Sequence, residues 1–108
     1  MGHNLLQWHL DRQWKSIRKL AKNLGIYLFG DVPFYVSKDS ADVWSNRSLF
    51  SILTNSDTFL QSGVPPDYFS ETGQLWGNPV YRWSRHKASN YRWWRKRISR
   101  HLEQVDFL

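Results

Sequence analysis

Apolar residues recur at helical spacing in two stretches of the chain. The first stretch covers residues 5–25, and its stripe consists of Leu10, Trp14, Ile17, Ala21 and Leu24. The second stretch covers residues 90–105, and its stripe consists of Trp94, Ile98, Leu102 and Val105. Spacings of three and four place each set on one helix face. The pattern therefore predicts two amphipathic helices, and Gly25 is the expected stop of the first.

A short apolar run, IYLF, follows the first helix directly and opens a predicted strand region at residues 26–36. Because the run is apolar at every position, it favours a buried strand of a parallel sheet. Residues 37–89 then form an insertion of weak periodicity, and residues 105–108 are apolar enough to begin another strand. A helix joined closely to a buried strand is half of a βαβ unit, so the predicted fold class is α/β.

Within the insertion, residues 63–83 fit neither a helical nor a strand period. Pro65 and Pro66 fix two backbone angles and remove two backbone donors. Gly73 and Gly77 permit backbone turns that other residues resist. We therefore expect a shaped loop, and long ordered loops without regular structure are usually functional.

The 63–83 segment also mixes aromatic rings with carboxylates and amides. These side chains are Tyr68, Phe69, Trp76, Tyr81 and Trp83, then Asp67 and Glu71, then Gln74 and Asn78. Aromatic faces beside such polar groups suit a sugar, whose ring stacks while its hydroxyls are fixed by hydrogen bonds. The alternative is that Tyr68, Phe69 and Trp76 fill a core beneath the loop.

Composition narrows the protein class. With 108 residues and no cysteine, the chain is long enough for one small domain without disulfides or thiolate metal ligands. It has no apolar run of the roughly 18 residues that a membrane span needs, so we expect a soluble cytoplasmic protein. The four histidines have no paired spacing and the carboxylates form no calcium-loop pattern, so no metal site is predicted.

The net charge of +6 is concentrated at the end of the chain. Residues 82–108 hold eight Lys or Arg against two acidic residues, whereas residues 1–81 hold seven of each. Aromatic residues at Tyr91, Trp93 and Trp94 lie among these bases, a combination typical of nucleic-acid binding. The apolar stripe on the same stretch favours an ordinary amphipathic helix instead, and we prefer that interpretation.

Three aspartates outside the loop are candidates for function. Asp31 follows the apolar strand, at the end where α/β folds bind ligands. It is equally placed to cap a turn before Pro33. Asp39 and Asp42 are better explained as helix or turn caps than as metal ligands.

Four pieces of the sequence carry a family resemblance. They are FGDVPFYV at 29–36, DSADVW at 39–44, GVPPDYFSETGQLWGNPVYRW at 63–83 and NYRWW at 90–94. In order and content they resemble the 4-α-glucanotransferases, also called amylomaltases or disproportionating enzymes. The resemblance covers most of the chain from about Gln13 onward.

The resemblance implies a fragment of a TIM-type (β/α)8 barrel with its third-strand region, an inserted subdomain and the following helix. It implies an enzyme that transfers α-1,4-glucan segments between sugars by a retaining double displacement, without metal or organic cofactor. Asp31 matches an aspartate that helps hold the sugar at the cleavage site. Asp67, Tyr68 and Phe69 match a loop that overhangs the donor glucan. Gln74 and Trp76 match residues that line the substrate groove.

The chain also departs from the family pattern. The nucleophilic aspartate of the family lies in an Arg-Ile-Asp-His-like motif on the fourth strand, and Asp106 is too early to match it. We therefore expect the nucleophile and the acid/base residue beyond Leu108. The expectation is an internal fragment, inactive alone, whose partner would be a complementary chain carrying the rest of the barrel. A non-catalytic glucan-binding module is the main alternative, and a nucleic-acid-binding module is the lesser one.

Overall fold

A computed structural model describes residues 2–53 and 59–108 of the chain. The backbone divides into two units. The first, called the helical unit below, consists of Met1–Val32 and Trp93–Leu108. The second, called the hairpin unit, is Pro33–Arg92 and contains the insertion predicted from the sequence.

The helical unit begins with α1 (Gly2–Asn23), where the sequence predicted a helix over 5–25. The end of α1 is set by Gly25, which adopts a positive φ of 70°. The Gly25 N–H donates to the Lys22 carbonyl at 3.1 Å, and the Ile26 N–H donates to the Ala21 carbonyl at 2.9 Å. These two bonds form a Schellman motif, which satisfies carbonyls that the helix end would otherwise leave unpaired.

The predicted strand at 26–36 is reduced to one parallel bridge between Phe29 and Phe107. The Gly30 N–H donates to the Phe107 carbonyl, and the Asp106 N–H to the Leu28 carbonyl, each at 2.8 Å. The parallel direction is as predicted, but the predicted burial is wrong for this chain, since Phe29 is 80% exposed. Two short segments can pair, but burial on both faces needs covering layers that these residues do not supply.

The second predicted helix is α4 (Arg92–Leu102), shorter than the predicted range of 90–105. Asn90 and Tyr91 have positive φ values of 51° and 52°, which place a turn immediately before α4. At the other end, the Val105 N–H donates to the His101 carbonyl at 3.1 Å, so the chain leaves the helix in a final turn.

The hairpin unit contains α2 (Ala41–Ser45), a 3-10 turn at Arg47–Leu49, and α3 (Trp83–Ala88). Its sheet is an antiparallel pair of β1 (Gln61–Val64) and β2 (Gln74–Pro79), with Val64 opposite Gln74. This hairpin corrects the expectation that 63–83 contains no regular structure. Glycine and proline in the strands hid the alternation that normally marks a hairpin.

The core of the hairpin unit gathers around Tyr81, which is 5% exposed. Phe50, with no exposed surface, pairs with Tyr81 in an antiparallel bridge, and their ring centroids lie 5.3 Å apart. His86 contacts the Tyr81 ring edge-on at 5.4 Å. This aromatic core fixes the short segment that follows β2, which contains Tyr81.

Candidate functional site

The turn between β1 and β2 is closed by Asp67. One carboxylate oxygen, Oδ1, accepts hydrogen bonds from the N–H groups of Phe69 and Ser70, each at 2.9 Å. The Ser70 hydroxyl donates to the Gly73 carbonyl at 2.7 Å. Gly73 has a φ of 75°, and a Cβ there would lie 2.5 Å from the Val64 carbonyl oxygen. The turn is therefore shaped by its own side chains, which accounts for Asp67 and Gly73 at these positions.

Tyr68 and Phe69 lie at the tip of this turn with their rings in solvent. Tyr68 is fully exposed and Phe69 is 94% exposed. The alternative that these two rings fill a core beneath the loop is therefore wrong. Exposed aromatic faces on a constrained turn are suited to contact a ligand.

Gln74 and Trp76 are brought together on β2. Their side chains lie on the same face of the strand, two positions apart, and the Trp76 Nε1–H donates to the Gln74 Oε1 at 3.0 Å. Trp76 remains 46% exposed. The bond uses the acceptor of the Gln74 amide and leaves its NH₂ group to donate elsewhere.

Asp31 belongs to the helical unit, whereas the other five predicted substrate residues belong to the hairpin unit. It is exposed and lies two positions after the Phe29 bridge, at the carboxyl end of the paired segment. This is the placement predicted from the sequence. Its role in holding a sugar stays a prediction.

The structure corrects the interpretation of Asp39 and Asp42 as caps, because the N-cap of α2 is Ser40. Ser40 is the N-cap of α2, and its hydroxyl accepts a hydrogen bond from the Val43 N–H at 3.3 Å. Asp42 lies in the first turn of α2, where a carboxylate is favoured by the partial positive charge of the helix end. Among the described residues, no group of three His, Cys, Asp or Glu could hold a metal ion.

Asp106 has a structural position that the sequence pattern did not predict. Its Oδ2 accepts from the Leu28 N–H and its Oδ1 from the Arg18 guanidinium, each at 2.8 Å. The backbone bond, and then the Arg18 partner, hold the pKa of the Asp106 carboxyl below its usual range. An ionised carboxylate clamped on both oxygens joins α1 to the two bridged segments. The sequence feature that could have indicated this role is an aspartate among the otherwise apolar residues 105–108.

The basic and aromatic residues of α4 contact one another. The Arg97 guanidinium lies 5.2 Å from the centroid of the Trp93 ring and 5.4 Å from that of Trp94. The two indoles meet edge-on, with centroids 5.1 Å apart. These contacts agree with the amphipathic-helix interpretation.

No helix in the described ranges 2–53 and 59–108 is long and apolar enough to cross a membrane.

A further aromatic residue, outside the 63–83 segment, contacts the candidate site. The Tyr35 ring lies 6.0 Å from the Trp76 ring, centroid to centroid, and stacks nearly parallel on Tyr81 at 5.9 Å. Tyr35 lies in the predicted strand region at 26–36, and its residue pattern predicts no functional role. A local pattern cannot reveal this contact because the two residues are 41 positions apart.

Comparison with known proteins identifies the family. The family model described as 4-alpha-glucanotransferase, glycoside hydrolase family 77, matches residues 1–108. The chain belongs to the 4-alpha-glucanotransferase family. The resemblance drawn from the sequence motifs is thereby confirmed.

Individual 4-alpha-glucanotransferases match nearly the whole chain. The protein of Aquifex aeolicus (strain VF5) is 45% identical over 106 residues, which is 98% of this chain and 22% of the relative. The chloroplastic/amyloplastic protein of Oryza sativa subsp. japonica is 52% identical over 100 residues, which is 93% of this chain and 17% of the relative. The chain thus spans about a fifth of the length of these relatives.

A solved structure of the same family has the same fold over this segment. The amylomaltase from Streptococcus agalactiae in complex with acarbose matches with a TM-score of 0.91 and 42% sequence identity. The match covers 98% of this chain and 21% of that one. Both units of the chain therefore have counterparts in an amylomaltase.

Proposed function

We propose that the chain supplies glucan-binding residues to a 4-α-glucanotransferase, as the third-strand region, insertion and following helix of a (β/α)8 barrel. The observation that carries the proposal is the 0.91 TM-score, at 42% identity over 98% of the chain, to an amylomaltase described in complex with acarbose. The matching substrate class is α-1,4-glucan. Binding by this chain and cleavage by the rest of the enzyme are separate parts of the proposal.

The hairpin residues would contact the donor glucan. The half-exposed Trp76 ring offers an apolar face to a glucosyl ring, and the Gln74 amide NH₂ offers donors to its hydroxyls. Tyr68 and Phe69 would cover the glucan from the tip of the turn. Asp31, in the helical unit, would accept a hydrogen bond from a sugar hydroxyl. Each role uses a group that the described structure leaves exposed.

Bond cleavage is assigned to residues outside this chain. A retaining transfer needs one carboxylate to attack the anomeric carbon and one carboxylic acid to protonate the departing oxygen. The acceptor hydroxyl then displaces the enzyme carboxylate. Asp67 is engaged in its own turn, and Asp106 is clamped by Leu28 and Arg18. We therefore expect no release of glucose when the chain is incubated alone with maltotriose, and any release would contradict this assignment.

Isothermal titration with maltoheptaose tests the binding proposal. The wild-type chain should give saturable heat that Trp76→Ala abolishes. Trp44→Ala is the matched control, because Trp44 is 86% exposed in the same unit but lies outside the 63–83 segment. Equal heats from the two variants, or no heat from the wild type, would contradict the proposed site.

A stand-alone glucan-binding module is the second candidate, favoured by the separate core of the hairpin unit. A chimera separates the two functions. This chain replaces the matched segment of the Aquifex aeolicus relative, and glucose release from maltotriose is measured. The transferase proposal expects activity that falls with Trp76→Ala. A folded chimera that binds maltoheptaose without turnover would favour the module.

A further inference from the structure

We propose that Tyr35 is an additional glucan-contacting residue that also positions Trp76. This inference rests on the proposed function, because its ligand is the same α-1,4-glucan. Tyr35 lies outside the 63–83 segment, yet its ring is the aromatic neighbour of Trp76 at a centroid distance of 6.0 Å. Two kinds of observation carry the proposal: how the Tyr35 ring is held, and what its hydroxyl lacks.

The Tyr35 ring is held by the core of the hairpin unit. It stacks on Tyr81 with an interplanar angle of 10°. Tyr81 is itself buried, and its hydroxyl donates to the carbonyl of Phe34, the residue that precedes Tyr35. The backbone before Tyr35 and the face of its ring are thus fixed by the same buried side chain. Stacked aromatic rings at such distances favour one defined arrangement.

Trp76 is consequently held at two points. Its Nε1–H donates to Gln74, and its ring meets Tyr35 at an interplanar angle of 59°. About half of its surface remains exposed. A ring that is fixed before the ligand arrives loses less conformational freedom on binding, which favours affinity. Tyr35 therefore acts on glucan binding through the orientation of Trp76.

The Tyr35 hydroxyl supplies the second argument. Within the described part of the chain it has no hydrogen-bond partner, although the residue is half-buried. The hydroxyl is not among the described buried polar atoms that lack a partner, so it is open to solvent and accessible to a ligand. A phenylalanine would provide the same stacking on Tyr81. The hydroxyl can both donate to and accept from a sugar hydroxyl, and it lies beside the proposed stacking ring.

Two substitutions separate the roles of the ring and of the hydroxyl. Tyr35→Phe removes the hydroxyl alone, and we expect maltoheptaose affinity to fall roughly 3- to 10-fold with an unchanged melting temperature. Tyr35→Leu also removes the ring, so it should weaken binding further and shift the tryptophan fluorescence. Tyr27→Phe, in the helical unit, is the matched control and should leave the affinity unchanged. The measurements are isothermal titration, thermal melting and fluorescence on the full 108-residue chain.

The outcomes distinguish this inference from the proposed function. If Trp76→Ala abolishes binding but Tyr35→Phe binds with wild-type affinity, the hydroxyl contact is overturned. If both Tyr35 variants bind normally, the whole inference is overturned while the proposed function stands. Absence of maltoheptaose binding by the wild type overturns both. Should Tyr35→Leu fail to fold, Tyr35→Phe alone decides the hydroxyl contact.

Discussion

The hairpin unit buries Val43, Phe50, Ile52 and Tyr81, whereas Ala21 is the one buried apolar residue described in the helical unit. Both units expose apolar side chains, but those of the helical unit, along its helices and its bridged segments, do not accompany a comparable buried core. These include Leu10, Ile17, Leu20, Leu24, Ile26, Tyr27, Phe29, Ile98 and Leu102. One unit thus obtains a core from its own residues. The other carries faces that, in the proposed barrel, would be covered by the remainder of the enzyme.

The bonds that hold the helical unit are correspondingly polar. Asp106 joins Arg18 and the Leu28 N–H, Asp11 pairs with Arg100 at 3.0 Å, and the Trp14 indole donates to the Gln104 carbonyl at 2.7 Å. Exposed ion pairs contribute little to stability. We therefore expect the hairpin unit to resist local unfolding more strongly than the helical unit.

Removal of the largest buried side chain gives the strongest test of this contrast. Phe50→Ala should destabilise the hairpin unit by about 3–5 kcal/mol, because it leaves a cavity against Tyr81. Hydrogen exchange at the Val80 and Arg82 amides reports the loss. Phe107→Ala is the matched change in the helical unit, where the half-exposed ring should matter much less. Similar losses from both substitutions would remove the distinction between the units.

Two glycines with positive φ provide a matched pair of smaller changes. Gly73→Ala combines backbone strain with a clash against the Val64 carbonyl, and it should cost about 2–3 kcal/mol and weaken maltoheptaose binding. Gly25→Ala meets no atom within 4 Å, so it should cost only about 1 kcal/mol from the positive φ. Urea unfolding measures both. Equal costs would indicate that the close approach at Gly73 relaxes without penalty.

Much of the fold and of the candidate site follows from sequence pattern. Both long helices were predicted from their apolar stripes, and Gly25 was predicted as a stop because glycine adopts positive φ readily. The mixture of rings, carboxylates and amides at 63–83 predicts a sugar ligand from residue types alone, and the roles of the individual residues stay predictions. These features are local in the sequence.

The remaining features depend on contacts between distant residues. The sequences of β1 and β2 show no alternation of apolar and polar residues, because Gly63, Gly77 and Pro79 occupy strand positions. The burial predicted for 26–36 needs covering layers of secondary structure, and the described residues do not supply them. The Tyr35–Trp76 contact and the Asp106 clamp likewise join residues far apart in sequence. Periodicity carries no information on such pairs.

As the pH falls, the hairpin unit should lose stability before the helical unit does. Burial lowers the pKa of His86, against the opposing effect of its bond to the Leu49 carbonyl. The unfolded chain therefore binds the proton more readily, so hairpin-unit stability is complete above about pH 6.5 and declines as the pH falls below it. The pKa of Asp106 is lowered, so its contribution is present above about pH 4 and is lost as the pH falls through the folded-state pKa.

Hydrogen exchange between pH 7 and pH 3 measures this order. Hairpin-unit amides should lose protection first, and helical-unit amides should respond below about pH 4. His86→Phe should remove the upper transition. Asp106→Asn should reduce the lower one, to which Asp11 also contributes because its bonds to Lys15 and Arg100 lower the pKa of its carboxyl. A single transition shared by all amides would contradict the assignment of the upper transition to His86 and of the lower one to the carboxyl groups of Asp11 and Asp106.

The smallest expected stability effects come from two exposed phenylalanines, Phe69 in the hairpin unit and Phe29 in the helical unit. Phe69→Ser and Phe29→Ser should each change the free energy of unfolding by less than about 0.5 kcal/mol, because both rings are mostly in solvent. Phe69→Ser should weaken maltoheptaose binding and leave self-association unchanged. Phe29→Ser should do the reverse, because exposed apolar faces of the helical unit favour association between chains. Sedimentation measures self-association of both variants, and isothermal titration measures their maltoheptaose binding. A substitution that altered both self-association and binding would contradict the comparison.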